Sequence, residues 1–293
     1  MIDLTSETSQ SLSKTTKSIL SQNGITLNRN LGQNYLIDKN KRDQIIGFGE
    51  ITKDDVVLEI GTGIGTLTIE LAKKARKVIA IEQDTRICEI LARRLEEEKI
   101  DNVDLINDDA LKVDFPPFNK IISNLPYQIS SPITFKFLNY DFDLAVLMYQ
   151  KEFASRMNGK VGSKDYSRLS AMLYFKCNVE TLTDISSESF IPKPKIDSTV
   201  VKLTPKENKI SKDEFKIYSN YTKALFQHRN KKIRNALIDS RHIICNLDKK
   251  EMKNKINSIE NEEIEEYLKK RVIAIEPEEI LFLSKELNLI LNE

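Results

Sequence analysis

Val56-Val57-Leu58-Glu59-Ile60 runs directly into Gly61-Thr62-Gly63-Ile64-Gly65-Thr66, and the fold follows from how this stretch is read. Its first five residues are a β-branched apolar run, the composition of a buried parallel strand. The glycines let the backbone turn tightly and approach a ligand without side-chain clash. A helical pattern then runs through Leu67, Ile69, Leu71 and Ala72. Strand, glycine loop and helix form the first half of a nucleotide-binding βαβ unit. A second strand, Lys77 to Ile81, ends in Glu82. An acidic residue about 20 positions after the loop can bind a ribose diol. The loop departs from the dinucleotide type, because Leu67-Thr68 follows Thr66 where G-x-G-x-x-G needs a further glycine. No Gly-Lys-Ser/Thr is present either, so the loop need not cradle phosphates. A cofactor with adenosine but no phosphate fits better, which points to S-adenosylmethionine.

Outward from this unit, Arg86 to Glu98 reads as a charged amphipathic helix with a solvated face. A third strand, Val103 to Ile106, ends in Asn107-Asp108-Asp109-Ala110, where a carboxylate could accept from an adenine amino group or simply cap a helix. A fourth strand, Lys120-Ile121-Ile122, leads into Ser123-Asn124-Leu125-Pro126-Tyr127. That exit offers hydrogen-bond acceptors, a stiff backbone and a flat ring, a combination suited to a planar amine such as a nucleobase. Ligands in open α/β sheets sit outside the carboxyl ends of the strands, so the glycine loop, Glu82, Asp109 and Asn124 fall along one edge. Towards the N-terminus, Gly32 suggests a turn, Gln33 and Asn34 are neutral hydrogen-bonding groups beside Tyr35 and Leu36, and Asp38 can cap a helix from Lys39. Residues 1–28 are rich in Ser, Thr, Gln and Lys and read as an N-terminal extension, mobile or loosely helical.

Further on, a strand is expected at Leu144 to Met148, a helix at Lys151 to Met157 and a polar loop at Gly159 to Tyr166. A helix follows over 169–176, then a strand from Cys177. Ser189-Phe190-Ile191-Pro192-Lys193-Pro194-Lys195 reads as irregular, since prolines remove donors and fix φ. It presents one ring and two lysines on a stiff loop. Asp197 to Leu203 alternates as a sheet-edge strand does. After Pro205 the strand signal ends, so residues 29–205 read as the sheet domain and 206–293 as a helical domain. Lys216 through His242 holds seven Lys/Arg against one acid, while 246–293 has eight basic against twelve acidic residues. This local concentration favours a phosphate-binding patch, although the whole chain is only +1. One unbroken helix would put Arg229 and Lys232 on the same face as Tyr221, Leu225, Ile233 and Ala236, so a break is expected near 228–230. Cys88, Cys177 and Cys245 have no paired spacing, and two histidines argue against a metal centre. Without a signal peptide or a long apolar span, the chain reads as soluble and cytoplasmic.

Leu-Gly-Gln-Asn-Tyr-Leu-Ile-Asp at 31–38, Glu-Ile-Gly-Thr-Gly at 59–63, Asn-Leu-Pro-Tyr at 124–127 and Phe-Ile-Pro-Lys-Pro-Lys at 190–195 resemble the KsgA-type ribosomal RNA adenine dimethyltransferases. Leu225-Phe226 through Leu237 is similar to that family's C-terminal basic motif, and the likeness spans roughly residues 29–240 in matching order. Leu147-Met148-Tyr149-Gln150 looks closest to archaeal members. The resemblance implies a Rossmann-like class I methyltransferase sheet of α/β class with a small C-terminal helical domain. It implies transfer of methyl groups from S-adenosylmethionine to N6 of two adjacent adenosines near the 3′ end of small-subunit rRNA. The partner would be that rRNA in a pre-30S particle, and the enzyme a monomer. By motif position, Asn34, Leu36, Gly61, Glu82, Asp109 and Asn124 would contact the cofactor, with Gln33 and Gly63 beside them. Asn124 and Leu125 would accept the N6 hydrogens on a backbone stiffened by Pro126, and Tyr127 and Phe190 would sandwich the base. Lys193, Lys195, Arg229, Lys231, Lys232 and Arg234 would meet RNA. The alternatives are a large-subunit rRNA adenine methylase and a mainly non-catalytic assembly factor.

Overall fold

The computed structural model describes residues 9–25, 34–207 and 210–292. Its elements are α1 (Ser9–Gln22), β1 (Tyr35–Leu36), α2 (Lys39–Phe48), β2 (Val56–Ile60), α3 (Thr68–Lys74), β3 (Lys77–Glu82) and α4 (Thr85–Glu97). Then come β4 (Val103–Asn107), β5 (Lys120–Asn124), α5 (Ser130–Phe137), β6 (Leu144–Gln150), α6 (Lys151–Met157), α7 (Arg168–Lys176), β7 (Cys177–Ile185), β8 (Phe190–Ile191) and β9 (Ser198–Pro205). The helices α8 (Lys212–Phe226), α9 (Ile233–Asp239), α10 (Lys249–Asn257), α11 (Glu262–Lys269) and α12 (Pro277–Asn292) complete the chain.

The main sheet has seven strands in the order β4-β3-β2-β5-β6-β9-β7. β2 pairs in parallel with both β3 and β5, and β9 runs antiparallel to β6. After β4 the chain crosses back to the other side of β2, so the strand order reverses between β2 and β5. Ligands of open α/β sheets bind at such a point, beyond the carboxyl ends of the strands. Here the ladder pairs Val57 with Lys120 and Leu58 with Ile121, and beyond it the Ser123 hydroxyl donates to the Ile60 carbonyl at 2.6 Å. The two strand ends can therefore part while their backbone stays satisfied.

Unbroken apolar runs make these strands because both faces are covered. Val57, Leu58, Val78, Ala80 and Ile122 are buried. Asp38 accepts from the Lys41 amide and starts α2, and Asp84 accepts from the Arg86 and Ile87 amides and starts α4. α1 buries Leu20, which joins Ile64, Ile87, Ile90 and Tyr35 in one apolar cluster.

Two compact units emerge, one of residues 1–154 and 179–205, the other of 155–178 and 206–293. A single boundary at 205 misses the second unit's first piece. Within that unit α7 packs on α8, and the buried Tyr218 hydroxyl of α8 donates to the Ala171 carbonyl of α7 at 2.8 Å. Two other expectations also change. β9 lies inside the sheet, paired on one edge with β6 and on the other with β7, and the burial of both Val200 and Val201 shows that both of its faces are covered. Phe190 and Ile191 precede the prolines and keep their donors, so they pair with Leu36 and Tyr35 as the short strand β8.

Candidate active site

Gly61 leaves β2 at φ +71°, and its amide donates to the Ile81 carbonyl at 2.8 Å. A Cβ there would stand 2.7 and 2.8 Å from Pro126 Cγ and Cδ. Both the left-handed backbone and this close approach call for glycine. The glycine loop and the Asn-Leu-Pro-Tyr turn are therefore in contact, although 65 positions separate them in the chain. Gly63, at φ +53°, donates its amide to Glu82 Oε2 at 2.9 Å, while Glu82 Oε1 accepts from the Asp84 amide at 3.0 Å. Burial pushes the Glu82 carboxyl above its ordinary range, and the backbone donors oppose that shift. The Glu82 carboxylate keeps acceptor capacity beyond these backbone donors, the capacity a ribose diol would use.

Asn34, Leu36, Gly61, Gly63, Glu82 and Asp109 line one cavity of about 550 Å³, and Asn124 to Tyr127 complete its wall. Asp109 follows β4, and its Oδ1 accepts from the Leu111 amide at 2.9 Å. Asn124 Nδ2 donates to the Asn34 carbonyl at 3.1 Å. A carbonyl oxygen only accepts, so this bond sets which end of the amide faces Asn34 and leaves Oδ1 as the acceptor. Tyr127 opens a single 3₁₀ turn, and its hydroxyl lies 2.6 Å from Ser198 Oγ. This set suits an adenosine-bearing cofactor, with an acceptor for the adenine amino group, a carboxylate for the diol and bare backbone for close approach.

The sequence matches the family described as ribosomal RNA adenine dimethylase over residues 24–276. The chain belongs to that family. A probable ribosomal RNA small subunit methyltransferase A from Methanosphaera stadtmanae is 49% identical over 277 residues, covering 94% of this chain and 98% of its own. A relative of the same description from Methanothermobacter thermautotrophicus is 46% identical, covering 93% and 95%. Among solved structures, a dimethyladenosine transferase from Plasmodium falciparum superposes with a TM-score of 0.72 at 32% identity, over 87% of this chain and 98% of that one. The 23S rRNA methyltransferase ErmE gives 0.59 at 25% identity, over 88% and 100%.

Not every residue singled out in this dimethylase sequence reaches the cavity. Gln33 lies outside the described residues. Phe190 is 2% exposed in the core beside β1 and is not part of the cavity wall. Lys193 and Lys195 are exposed, Lys193 being paired with Glu188. In the helical unit α8 stops at Phe226 and α9 starts at Ile233, so the expected break is present. It turns Lys231 and Lys232 outward, with Lys231 2.8 Å from Asp239, and leaves Arg234 half-buried. Arg229 differs from the other cations, because its guanidinium donates to the Lys164 and Ser163 carbonyls at 2.9 and 3.1 Å. It ties the 159–166 loop to the basic turn, which is a structural use of its charge.

Other groups in the wall carried no signal that spacing could supply. Glu59 lines the cavity at 1% exposure, and its Oε2 has no hydrogen-bond partner among the described residues. Burial, aided by the nearby Glu82 charge, pushes its carboxyl up to about 8. In sequence it is one polar residue inside an apolar strand, and only the carboxylate itself hinted at a role. Tyr35 lies against Gly63, and its buried hydroxyl likewise has no partner among the described residues.

Proposed function

We propose that this chain transfers methyl groups from S-adenosylmethionine to N6 of two adjacent adenosines near the 3′ end of small-subunit rRNA. It would act as a cytoplasmic monomer on a pre-30S particle. Orientation of the Asn124 amide is the observation that carries this reading. Adenine N6 is a poor nucleophile because its lone pair is delocalised into the ring. An acceptor on its hydrogens favours pyramidal nitrogen and turns the lone pair outward. Asn124 Oδ1 and the Leu125 carbonyl would accept both hydrogens. When bound, S-adenosylmethionine supplies a methyl group on a sulfonium leaving group, so the hard chemistry belongs to the cofactor.

The protein's own part is binding and positioning. Glu82 would hold the ribose diol, Asp109 the adenine amino group, and Asn34 and Leu36 the cavity wall beside them. Pro126 stiffens the turn that carries Asn124 and Leu125, where a shift of ~1 Å can cost ~100-fold in rate. Stacking on Tyr127 offsets unstacking of the target base, at ~1–3 kcal/mol per base. No general base is required during attack, since the N6 proton can leave to water afterwards. Lys231, Lys232 and Arg234 would meet rRNA phosphates.

The likeness to ErmE keeps a large-subunit rRNA target as a second reading. The 46–49% identity to proteins described as small-subunit methyltransferases favours the first. Radiolabelled methyl transfer to unmodified small subunits, compared with naked large-subunit rRNA, separates them. Label should enter adjacent adenosines of the small subunit, and Asn124→Ala should abolish it while cofactor binding weakens less. Label on large-subunit rRNA alone, or near-normal turnover by Asn124→Ala, would overturn the assignment.

A further inference from the structure

Tyr127 carries a hydroxyl that stacking does not need. Phenylalanine presents the same ring, and a buried hydroxyl is unfavourable unless it is hydrogen-bonded. In this chain the hydroxyl meets Ser198 Oγ at 2.6 Å. Ser198 is 0% exposed and opens β9. Its backbone sits opposite Gln150 of β6 in the antiparallel ladder. β6 in turn pairs in parallel with β5, where Met148 stands opposite Asn124. The Tyr127 hydroxyl and the Asn124 side chain are thus both referenced to the same strand, β6.

The turn that bears Tyr127 is held by its backbone, whereas the Tyr127 side chain makes its hydrogen bond to Ser198. It is one 3₁₀ turn over Tyr127–Ile129, with no side-chain cap at Pro126. Two backbone bonds close it, from the Ile129 amide to the Pro126 carbonyl at 3.1 Å and from the Ser130 amide to the Tyr127 carbonyl, and both hold the main chain rather than the ring. Pro126 restricts the turn on the N-terminal side only. Without an outside anchor, the ring could swing about its χ1 while Asn124 stayed in place.

We propose that Ser198 is a positioning residue for methyl transfer, holding the Tyr127 ring by its hydroxyl in a fixed relation to Asn124. This inference rests on the reading of Tyr127 as the stacking surface for the target base. The hydroxyl pair turns a mobile aromatic side chain into part of the sheet. Stacking then restricts the base plane relative to the acceptors on N6, so the effect falls on turnover rather than on cofactor binding. Burial also pushes the Tyr127 phenol above its ordinary range, so it stays neutral and remains able to donate.

The test compares Ser198→Ala, Tyr127→Phe, the double variant and Tyr127→Ala. Each is assayed for kcat and KM on unmodified small subunits, for S-adenosylmethionine Kd and for Tm. Ser198→Ala and Tyr127→Phe should each lower kcat about three- to ten-fold, the scale of one lost neutral hydrogen bond. Cofactor Kd should not move. The double variant should be no slower than the slower single variant, because both changes delete one bond. If Ser198→Ala fails to fold, Tyr127→Phe still removes the bond from the other side. An unchanged kcat in Tyr127→Phe, losses that multiply in the double variant, or a loss that follows Tm or cofactor Kd overturns the inference. Tyr127→Ala reports on the underlying reading by itself. Full activity in that variant removes Tyr127 as the stacking surface, whereas loss there beside a silent Ser198→Ala removes only the positioning role.

Discussion

Replacing Glu59 with glutamine should make the ligand-free protein progressively more stable, relative to wild type, as pH rises from 5 to 8. Glu59 is 1% exposed, and burial raises its pKa from 4.5 to about 8. The folded protein therefore holds a proton that the unfolded chain has already released over this interval. Stability linked to such a group is fully present below the unfolded pKa and is lost as pH rises from about 4.5 to about 8. At ~1.4 kcal/mol per pH unit the full loss is up to about 5 kcal/mol. That is a large share of the ~5–15 kcal/mol typical of a folded protein. Glutamine keeps the shape and stays neutral, so this loss does not arise. Its amide meets the Thr68 hydroxyl, and any mismatch there shifts stability equally at every pH. The difference, variant minus wild type, should climb by several kcal/mol between pH 5 and pH 8. Urea unfolding at four pH values, with the m-value checked for constancy, measures it. Titrating groups remote from Glu59 are common to both proteins and cancel in the difference. Parallel stability profiles would refute the buried, protonated Glu59 and the cavity environment inferred from it.

Gly61→Ala places a Cβ within 2.8 Å of Pro126 on a backbone at φ +71°, and the left-handed geometry alone costs ~1–2 kcal/mol. Calorimetric titration should show at least tenfold weaker S-adenosylmethionine binding, and wild-type affinity would discount the contact between the two motifs. Phe190→Ala should lower stability by about 3–5 kcal/mol in denaturant unfolding, as expected for a ring buried behind the cavity wall. A variant of unchanged stability that has lost only RNA turnover would instead favour a role in clamping the base. Changing Lys231, Lys232 and Arg234 together to alanine should flatten the dependence of log K for rRNA on log salt by about 2–3. An unchanged slope in filter-binding assays would take these cations off the RNA.

The parts of this molecule that were legible in its sequence are those set by local rules. A β-branched run, three glycines and a helical period sufficed for β2, its loop and α3. An acid at the end of β3 and an amide with a proline after β5 could be placed on the same sheet edge by topology alone. The interruption near Arg229 was legible because an unbroken helix would have put cations on the apolar face. What stayed hidden depends on partners distant in the chain. Whether β9 is an edge strand or an interior one is decided by β6 and β7, not by its own alternation. Phe190 looks the same in sequence whether its ring faces a cavity or backs a strand. Arg229 and Lys232 are both cations near a turn, and only the carbonyls of Ser163 and Lys164 distinguish them.

The acceptor geometry of Asn124 depends on three such long-range ties. Asn34 orients the amide, so the 34–36 segment has to be held at that place. β1 is too short to stand alone and, among the described residues, pairs with β8, Tyr35 with Ile191 and Leu36 with Phe190. The Ile37 amide extends this pairing to the Ser189 carbonyl at 2.9 Å. Residues 189–191 thus fix the position of Asn34, while Ser198, a few residues later, holds Tyr127. One short length of chain steadies both halves of the proposed base-recognition site, the amide through β1 and the ring through a hydroxyl. A substitution in 189–198 can therefore disturb methyl transfer without any atom of that stretch touching the base. Proximity to the cavity is for this reason a poor guide to which residues matter, and the hydrogen bonds that reference Asn124 and Tyr127 to the sheet are a better one.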